Sequence, residues 1–363
     1  YIIYKYLIKM SNNLKAYKNL KVIVTGSTGF KGTWLCYWLH LLNAKVVGIA
    51  LKPEKDSILF KKLLLSQKIK QIYLDINNYK NLNQVIKKEK PDIIFHLAAQ
   101  SVVSESYINP IGTITTNVLG SANILEIVRI NKIKNLVYIT SDKCYLNDGR
   151  KTSYFEKDTL GGEDLYSASK ACAELVFESY HKSFLLKNKK LTYATTRAGN
   201  VIGGGDMKKN RIVPDVIKSL KNKSPLIIRS PDSTRPWQHV LEPISGYLKL
   251  GEMLINKKLS NSIKPNWNFG PNTINCRTVI NVVKEIINCW GVEKKIKIIK
   301  NKEFKEAKLL MISNHKAKKE LNWSPTLDFK ETIKMTVDWY KDCFFENKAE
   351  ETTRKQIEYF LRK

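Results

Sequence analysis

LKVIVTGSTGFKG (20–32) is an apolar, β-branched strand that runs directly into glycines at 26, 29 and 32. The GxxGxxG spacing has a physical reading. Glycine permits a tight turn, lets backbone N–H groups approach a pyrophosphate, and lets the following helix pack close. That helix is TWLCYWLHLL (33–42), whose N-terminus offers unpaired N–H groups and a positive dipole end to an anion. A glycine turn alone is weak evidence, but between a clear strand and a helix it predicts a dinucleotide site. Gly26, Gly29 and Gly32, with Thr28, Phe30 and Lys31 among them, are the candidate cofactor cradle.

Working outward, further strands recur at KVVGIAL (45–51), IKQIYLDI (69–76), DIIFHLAA (92–99), NLVYIT (135–140) and LTYATTRAG (191–199), with helical stretches between them. Runs rich in Val and Ile, without strict alternation, are buried on both faces. They predict an α/β fold: a doubly wound parallel sheet of the Rossmann kind, with a second, smaller α/β substrate domain. Asp75 and Ile76 then lie at the carboxyl end of the third strand, where Asp75 can accept the adenine amino group. Leu97, Ala98 and Ala99 at the end of the fourth border the cofactor. The end of the second strand reads Ala50, Leu51, Lys52, without the acidic residue that usually holds a ribose diol. Lys52 could meet a 2′-phosphate, so the residues leave NAD and NADP both open.

Two further segments carry chemistry. ITSDKCY (139–145) places Ser141, Asp142 and Lys143 after a buried strand, and YSASK (166–170) follows. Tyr166 and Lys170 are four apart, so on a helix they share a face. A lysine ammonium there is expected to lower the phenol's pKa, making Tyr166 a base that takes a hydroxyl proton. Gly203, Gly204, Gly205 and Asp206 suggest a loop whose backbone passes near a ligand. Arg211 and Arg235 are candidates for a nucleotide pyrophosphate, because a guanidinium pairs with phosphate oxygens. Trp237 and His239 are expected to brace the pocket. The remaining histidines form no cluster, and no metal site is expected.

TGSTGFKG, HLAAQSVV, TNVLGSANILE, ITSDKCY, GGEDLYSASKACAEL, RAGNVIGGGD and RPWQHVLEPISGY together resemble the extended short-chain dehydrogenase/reductase family. Within it they are most similar to the 4,6-dehydratases that act on CDP-glucose. The similarity runs from about Lys21 to beyond Trp339. It implies NAD as the cofactor and a nucleotide-hexose as the substrate. The implied reaction is oxidation of the hexose 4-hydroxyl, loss of water across carbons 5 and 6, and return of the hydride to carbon 6.

Elimination needs an acid for the departing 6-hydroxyl and a base for the carbon 5 proton. Residue for residue, the resemblance makes Ser141 a hydrogen-bond partner of the 4-hydroxyl, Asp142 the acid and Lys143 the base, where related dehydratases carry Glu. Side by side, Asp142 and Lys143 would favour an ion pair, and a closed site would favour their neutral forms. Asn200 matches the family asparagine that approaches the substrate, and Gln100 joins the substrate side. Epimerases of the superfamily lack the adjacent acid and base. The competing functions are a 4-epimerase, a dehydratase for another nucleotide-hexose, or a non-catalytic dinucleotide-binding protein with a basic partner surface.

The 363 residues exceed one comfortable core. A dinucleotide-binding domain is expected over 1–195, regaining about 235–247 and 265–272, where WNFGP reads as a returning strand; a smaller, interleaved substrate domain takes 196–363. Residues 1–19 are a leader, with translation expected to start at Met10. The first nine residues are too short to span a bilayer, and no other run of about 18 residues reads as apolar.

The 62 Lys and Arg against 33 Asp and Glu give a formal charge of +29. The lysines scatter along helix surfaces, as at Lys87–Lys90 and Lys187–Lys190, and no nucleic-acid motif accompanies them. Such a field also attracts polyanionic substrates. Six cysteines at 36, 144, 172, 276, 289 and 343 lack a pairing framework and suggest free thiols in the cytoplasm. Cys144 beside the triad is either a space-filler or a redox-sensitive position. The helices TTNVLGSANILEIVRI and SASKACAELVFESYHKSF resemble those through which family members pair, implying a homodimer or homotetramer.

Overall fold

The computed structural model describes residues 14–186, 188, 190–259, 264–272, 276–299 and 309–363. Expectations for the leader before residue 14, including the start at Met10, fall outside them. Seven strands form one parallel sheet: β1 (Lys21–Thr25), β2 (Lys45–Ala50), β3 (Lys70–Tyr73), β4 (Ile93–His96), β5 (Asn135–Ile139), β6 (Thr192–Arg197) and β7 (Asn266–Asn268). Their order across the sheet is β7-β6-β5-β4-β1-β2-β3. Each strand of the Val- and Ile-rich reading is present, and WNFGP supplies the edge strand beside β6.

Burial explains why those strands lack a polar stripe. Every residue of β4 and β5 is buried. Alternate side chains feed two cores. Val22, Val24, Phe95 and Val137 face the helices α1 (Phe30–Leu41) and α6 (Leu241–Ile255), where Trp34, Trp38, Leu241 and Leu248 meet them. Ile23, Ile94, Leu136 and Tyr138 face the other way, toward α3 (Ser121–Ile130) and α4 (Leu165–Tyr180), which contribute Ile124, Val128 and Phe177. Between them α2 (Tyr79–Glu89) links β3 to β4. A sheet with helices on both faces opens a crevice where strand order reverses, here between the carboxyl ends of β1 and β4.

The smaller part is built from α5 (Ile212–Lys221), α7 (Val279–Trp290), α8 (Phe329–Lys341) and α9 (Ala349–Arg362). Short strand pairs tie it together: Leu226–Ile228 runs parallel with Ile296–Ile298, and Thr234–Pro236 antiparallel with Cys276–Thr278.

One correction concerns apolar length. The helical run Pro110–Ile130 is long and apolar enough, by length and composition, to cross a membrane. Thr113, Thr115, Thr116 and Asn117 interrupt its hydrophobic lettering, which is why reading the sequence for a continuous run passed it by. Its inner residues Ile124, Leu125, Ile127 and Val128 lie in the second core.

Candidate active site

The crevice is stitched by a side chain the sequence reading missed. Thr25 Oγ1, at the end of β1, accepts hydrogen bonds from the N–H groups of Leu97 and Ala98 at 3.1 Å each, and lies 2.8 Å from His96 Nδ1. His96 is fully buried; burial, with Lys170 nearby, pulls its pKa down to about 3, so the ring is neutral. Gly26 has a φ of +73°, and a Cβ there would lie 2.9 Å from Ala98 N. A Cβ on Gly32 would lie 2.0 Å from the Gly26 carbonyl oxygen. Both glycines are therefore required by shape, the first by conformation and the second by close helix packing.

The rest of the cradle falls around this turn. Thr28 Oγ1 donates to the Leu51 carbonyl at 3.1 Å. Phe30 opens α1 and reaches beneath Gly203. Lys31 is half-buried, and its amine is lowered to about 8 by desolvation and by Arg211, against an opposing pull from Asp142. Asp75 lies two residues past the end of β3, exposed, with Oδ1 accepting from Asn77 N at 2.9 Å; Ile76 beside it is buried. Leu51 and Lys52 at the end of β2 are exposed, with no acid between them.

Ser141 caps a single 3-10 turn, Asp142–Cys144. Its Oγ donates to Asp142 Oδ1 at 2.9 Å and accepts from Lys143 N at 3.3 Å. Asp142 is buried and receives a second bond from Asn200 Nδ2, 3.3 Å from Oδ2. Asn200 is held there by a left-handed φ of +52°. Lys143 is half-buried and makes no ion pair with Asp142 within 4 Å. The expected pairing is absent because the carboxylate is turned to Ser141 and Asn200. Cys144 is fully buried, its thiol pushed far up by burial, which fits space-filling and not redox chemistry.

Helix α4 starts at Asp164, whose Oδ1 accepts from Ser167 N at 2.9 Å. Tyr166 and Lys170 follow on one buried face, with Lys170 Nζ 5.9 Å from the centre of the Tyr166 ring. The expected lowering of the phenol is reversed. Burial pushes Tyr166 up to about 12, and the Ser141 hydroxyl and Arg211 only partly offset it. Lys170 is itself desolvated and, with Lys31 nearby, lowered to about 8. In the protein alone the helix position supplies proximity, while desolvation decides the protonation order.

On the substrate side the outcomes divide. Arg211 stands just ahead of α5, Nη1 2.8 Å from Asp206 Oδ2 and Nη2 3.1 Å from Ser101 O and Oγ, close enough for its charge to act on Tyr166. Arg235 is buried in the Thr234–Pro236 strand and donates to Thr234 O at 2.9 Å. Gln100 is turned inward: Nε2 donates to Thr113 Oγ1 at 2.9 Å and Oε1 accepts from Val102 N at 2.5 Å, so its side chain braces the loop after β4.

The glycines at 203–205 also have a packing reason: a Cβ on Gly204 would fall 2.0 Å from Trp339 and one on Gly205 2.5 Å from Leu59. Trp237 and His239 are buried braces, as expected: Trp237 Nε1 donates to Arg277 O at 2.9 Å, and burial lowers His239 to about 3. Reading the sequence also missed Gly199, which clears the space for Asp142, and Asn117, which accepts from Gln100 N at 2.8 Å and donates to Ser169 Oγ at 3.0 Å. Among the described residues no cluster of His, Cys, Asp or Glu could hold a metal ion, and all six cysteines are free thiols.

The site thus brings the Tyr166 phenol and the Lys170 amine together with the buried Asp142 carboxylate, which Ser141 and Asn200 hold and which acts on both Tyr166 and Lys31. Comparison with known proteins fits this arrangement. The profile of the family described as GDP-mannose 4,6 dehydratase matches residues 23–336. A CDP-glucose 4,6-dehydratase from Salmonella typhimurium is 40% identical over 326 residues, covering 88% of this chain and 90% of that protein. A dTDP-D-glucose 4,6-dehydratase from Dictyostelium discoideum is 30% identical over 250 residues, 64% of this chain and 56% of that one. The crystal structure of dTDP-glucose 4,6-dehydratase from Bacillus anthracis in complex with NAD superposes with a TM-score of 0.75 at 23% identity, covering 90% of this chain and 98% of that one.

Proposed function

This chain belongs to the GDP-mannose 4,6-dehydratase family, and from that membership we propose that it is an NAD-dependent nucleotide-sugar 4,6-dehydratase acting on CDP-glucose. The product is CDP-4-dehydro-6-deoxyglucose, with water released. The observation that carries this reading is Asp142, a buried carboxylate held by Ser141 and Asn200 beside Tyr166, with no ion pair within 4 Å among the described residues. An epimerase needs no such acid.

The glycine turn fits a dinucleotide, since Gly26 takes a left-handed φ of +73° and the bare Gly32 lets α1 start against the Gly26 carbonyl, the tight strand-to-helix turn that a diphosphate requires. Gly26, Thr28, Gly29, Phe30, Lys31 and Gly32 would hold its diphosphate, Asp75 and Ile76 its adenine, and Leu97, Ala98 and Ala99 the crevice wall. NAD bound there supplies the two-electron acceptor and donor for carbons 4 and 6.

The chain's own groups do the proton work. Tyr166 takes the proton of the 4-hydroxyl, with Lys170 stabilising the phenolate and the Ser141 hydroxyl hydrogen-bonded to the 4-hydroxyl. Asp142 gives its proton to the departing 6-hydroxyl, and Lys143 removes the proton from carbon 5, acidified by the carbonyl at carbon 4. Arg211 and Arg235 bind the substrate diphosphate, and Asn200 orients the sugar while it holds Asp142.

Two copies pair through the outer face of Pro110–Ile130 and α4. Ile111 and Leu119 are 74% and 57% exposed there and Leu175 50%, with Ile108 just ahead of the run at 77%. Six free thiols support a reducing compartment such as the cytoplasm. The reading is tested by incubating the purified protein and NAD with a panel of nucleotide-hexoses. Turnover of CDP-glucose to a 4-keto-6-deoxy sugar is expected. Turnover only to a 4-epimer would replace it with the epimerase reading.

A further inference from the structure

Beneath the site lies a buried ion pair that the proton chemistry does not use. Glu174 and Arg197 have side chains 3% and 2% exposed, with Glu174 Oε2 2.7 Å from Arg197 Nη2. Glu174 is four residues beyond Lys170 and eight beyond Tyr166, on the same stripe of α4.

Its carboxylate takes more than the guanidinium. Oε1 accepts from Thr140 Oγ1, and Oε2 also accepts from Thr195 Oγ1 at 3.1 Å. Thr140 is the residue before Ser141, so Glu174 grips the 3-10 turn at its entry. Arg197 grips the exit: Nη1 donates to Tyr145 Oη at 2.7 Å, and the guanidinium lies 4.9 Å from the centre of the Tyr145 ring. Tyr145 Oη in turn donates to Asn268 Oδ1 at 2.8 Å, anchoring the same turn to β7. The three residues Asp142, Lys143 and Cys144 thus hang between two clamps, and the clamps meet in one ion pair.

A buried ion pair is a poor source of stability, because desolvating both charges consumes most of their attraction. What it fixes is geometry, since both ends of the turn must reach one charged centre. We propose that Glu174 and Arg197, acting through Thr140 and Tyr145, are positioning residues that set the elimination turn in register with the Tyr166 and Lys170 helix. This rests on the dehydratase reading of Asp142 and Lys143. In its absence, a turn carrying the acid and base would be displaced relative to a sugar held by the redox pair, and displacements of about 1 Å can cost on the order of a hundredfold in rate.

Tyr145→Phe is the primary test, because it removes the clamped hydroxyl and leaves the buried charges paired. Glu174→Asp, which keeps the charge and shortens its reach, is the second. The measurement is the isotope effect on kcat with CDP-glucose deuterated at carbon 4 or at carbon 5, together with KM and the melting temperature. Both variants should lose about tenfold or more in kcat with KM nearly unchanged. The carbon 5 isotope effect should rise toward its full value while the carbon 4 effect falls, because elimination has become the slow step. A loss of stability alone would not redistribute the two effects. If Glu174→Asp fails to fold, Tyr145→Phe decides. Unchanged isotope effects in Tyr145→Phe, or a parallel rise at both carbons, would overturn the proposal. A wild-type protein that leaves CDP-glucose unchanged would overturn the dehydratase reading itself, before any variant is compared.

Discussion

Gly199 and Asp142 occupy complementary space: a Cβ on Gly199 would lie 1.8 Å from Asp142 Oδ2 and 2.0 Å from its Cγ. The absence of a side chain at the end of the β6 segment is therefore what lets the carboxylate sit buried against Ser141 and Asn200. Gly199→Ala should push the carboxyl out of place and slow dehydration by roughly a hundredfold. Dinucleotide affinity, measured by fluorescence titration, should stay within about twofold, because the change lies away from the glycine turn. Full dehydratase activity in this variant would remove Asp142 from the acid role.

The protonation order predicts an unusual pH profile. Phenolate and ammonium are needed together, yet Lys170 releases its proton near 8 and Tyr166 only near 12. Below about pH 8 the amine is charged and each rise in pH adds phenolate, so kcat/KM should climb. Above it, gain of phenolate is cancelled by loss of ammonium, so the profile should level off. Lys31 is one of the charges that lower Lys170. Lys31→Gln should move the break upward, and a break that stays in place would show that Lys170 does not set it.

The two halves of the reaction should separate by mutation. Tyr166→Phe should suppress oxidation by about 10² to 10⁴-fold with the melting temperature preserved. Asp142→Asn should spare oxidation and slow loss of water, read as a carbon 5 isotope effect that grows while the carbon 4 effect shrinks. Equal slowing of both steps in Asp142→Asn would count against its role.

Stability should carry a signature of Glu242, far from the chemistry. Oε1 accepts from Leu327 N at 2.6 Å and Thr326 N at 2.8 Å, while Oε2 has no partner among the described residues. Burial raises this carboxyl to about 7. The folded state therefore keeps a proton that the unfolded chain gives up near about 4.3, so stability is lost as pH rises through that window. Glu242→Gln, neutral throughout, should be more stable than the parent above about pH 7 by on the order of 3 kcal/mol, and little different at acid pH. A pH-independent difference in melting temperature would contradict this.

The strands, the glycine turn and the Tyr166 helix were legible because each follows from local sequence: β-branched runs, GxxGxxG and a spacing of four. What was not legible depends on distant neighbours. That Gly204 must be bare for packing shows only once Trp339, from 135 residues away, is seen against it. Gln100 looks substrate-facing until Thr113 and Val102 claim its amide. The shift of Tyr166 was misjudged because spacing reports proximity to Lys170 and says nothing of how much water the fold removes.

The most direct test is to incubate the protein with NAD and CDP-glucose in heavy water and locate the label in the product. The account predicts a 4-keto-6-deoxy sugar with deuterium at carbon 5, none transferred from solvent to carbon 6, and no net reduction of NAD. An unlabelled sugar, or one merely inverted at carbon 4, would contradict it.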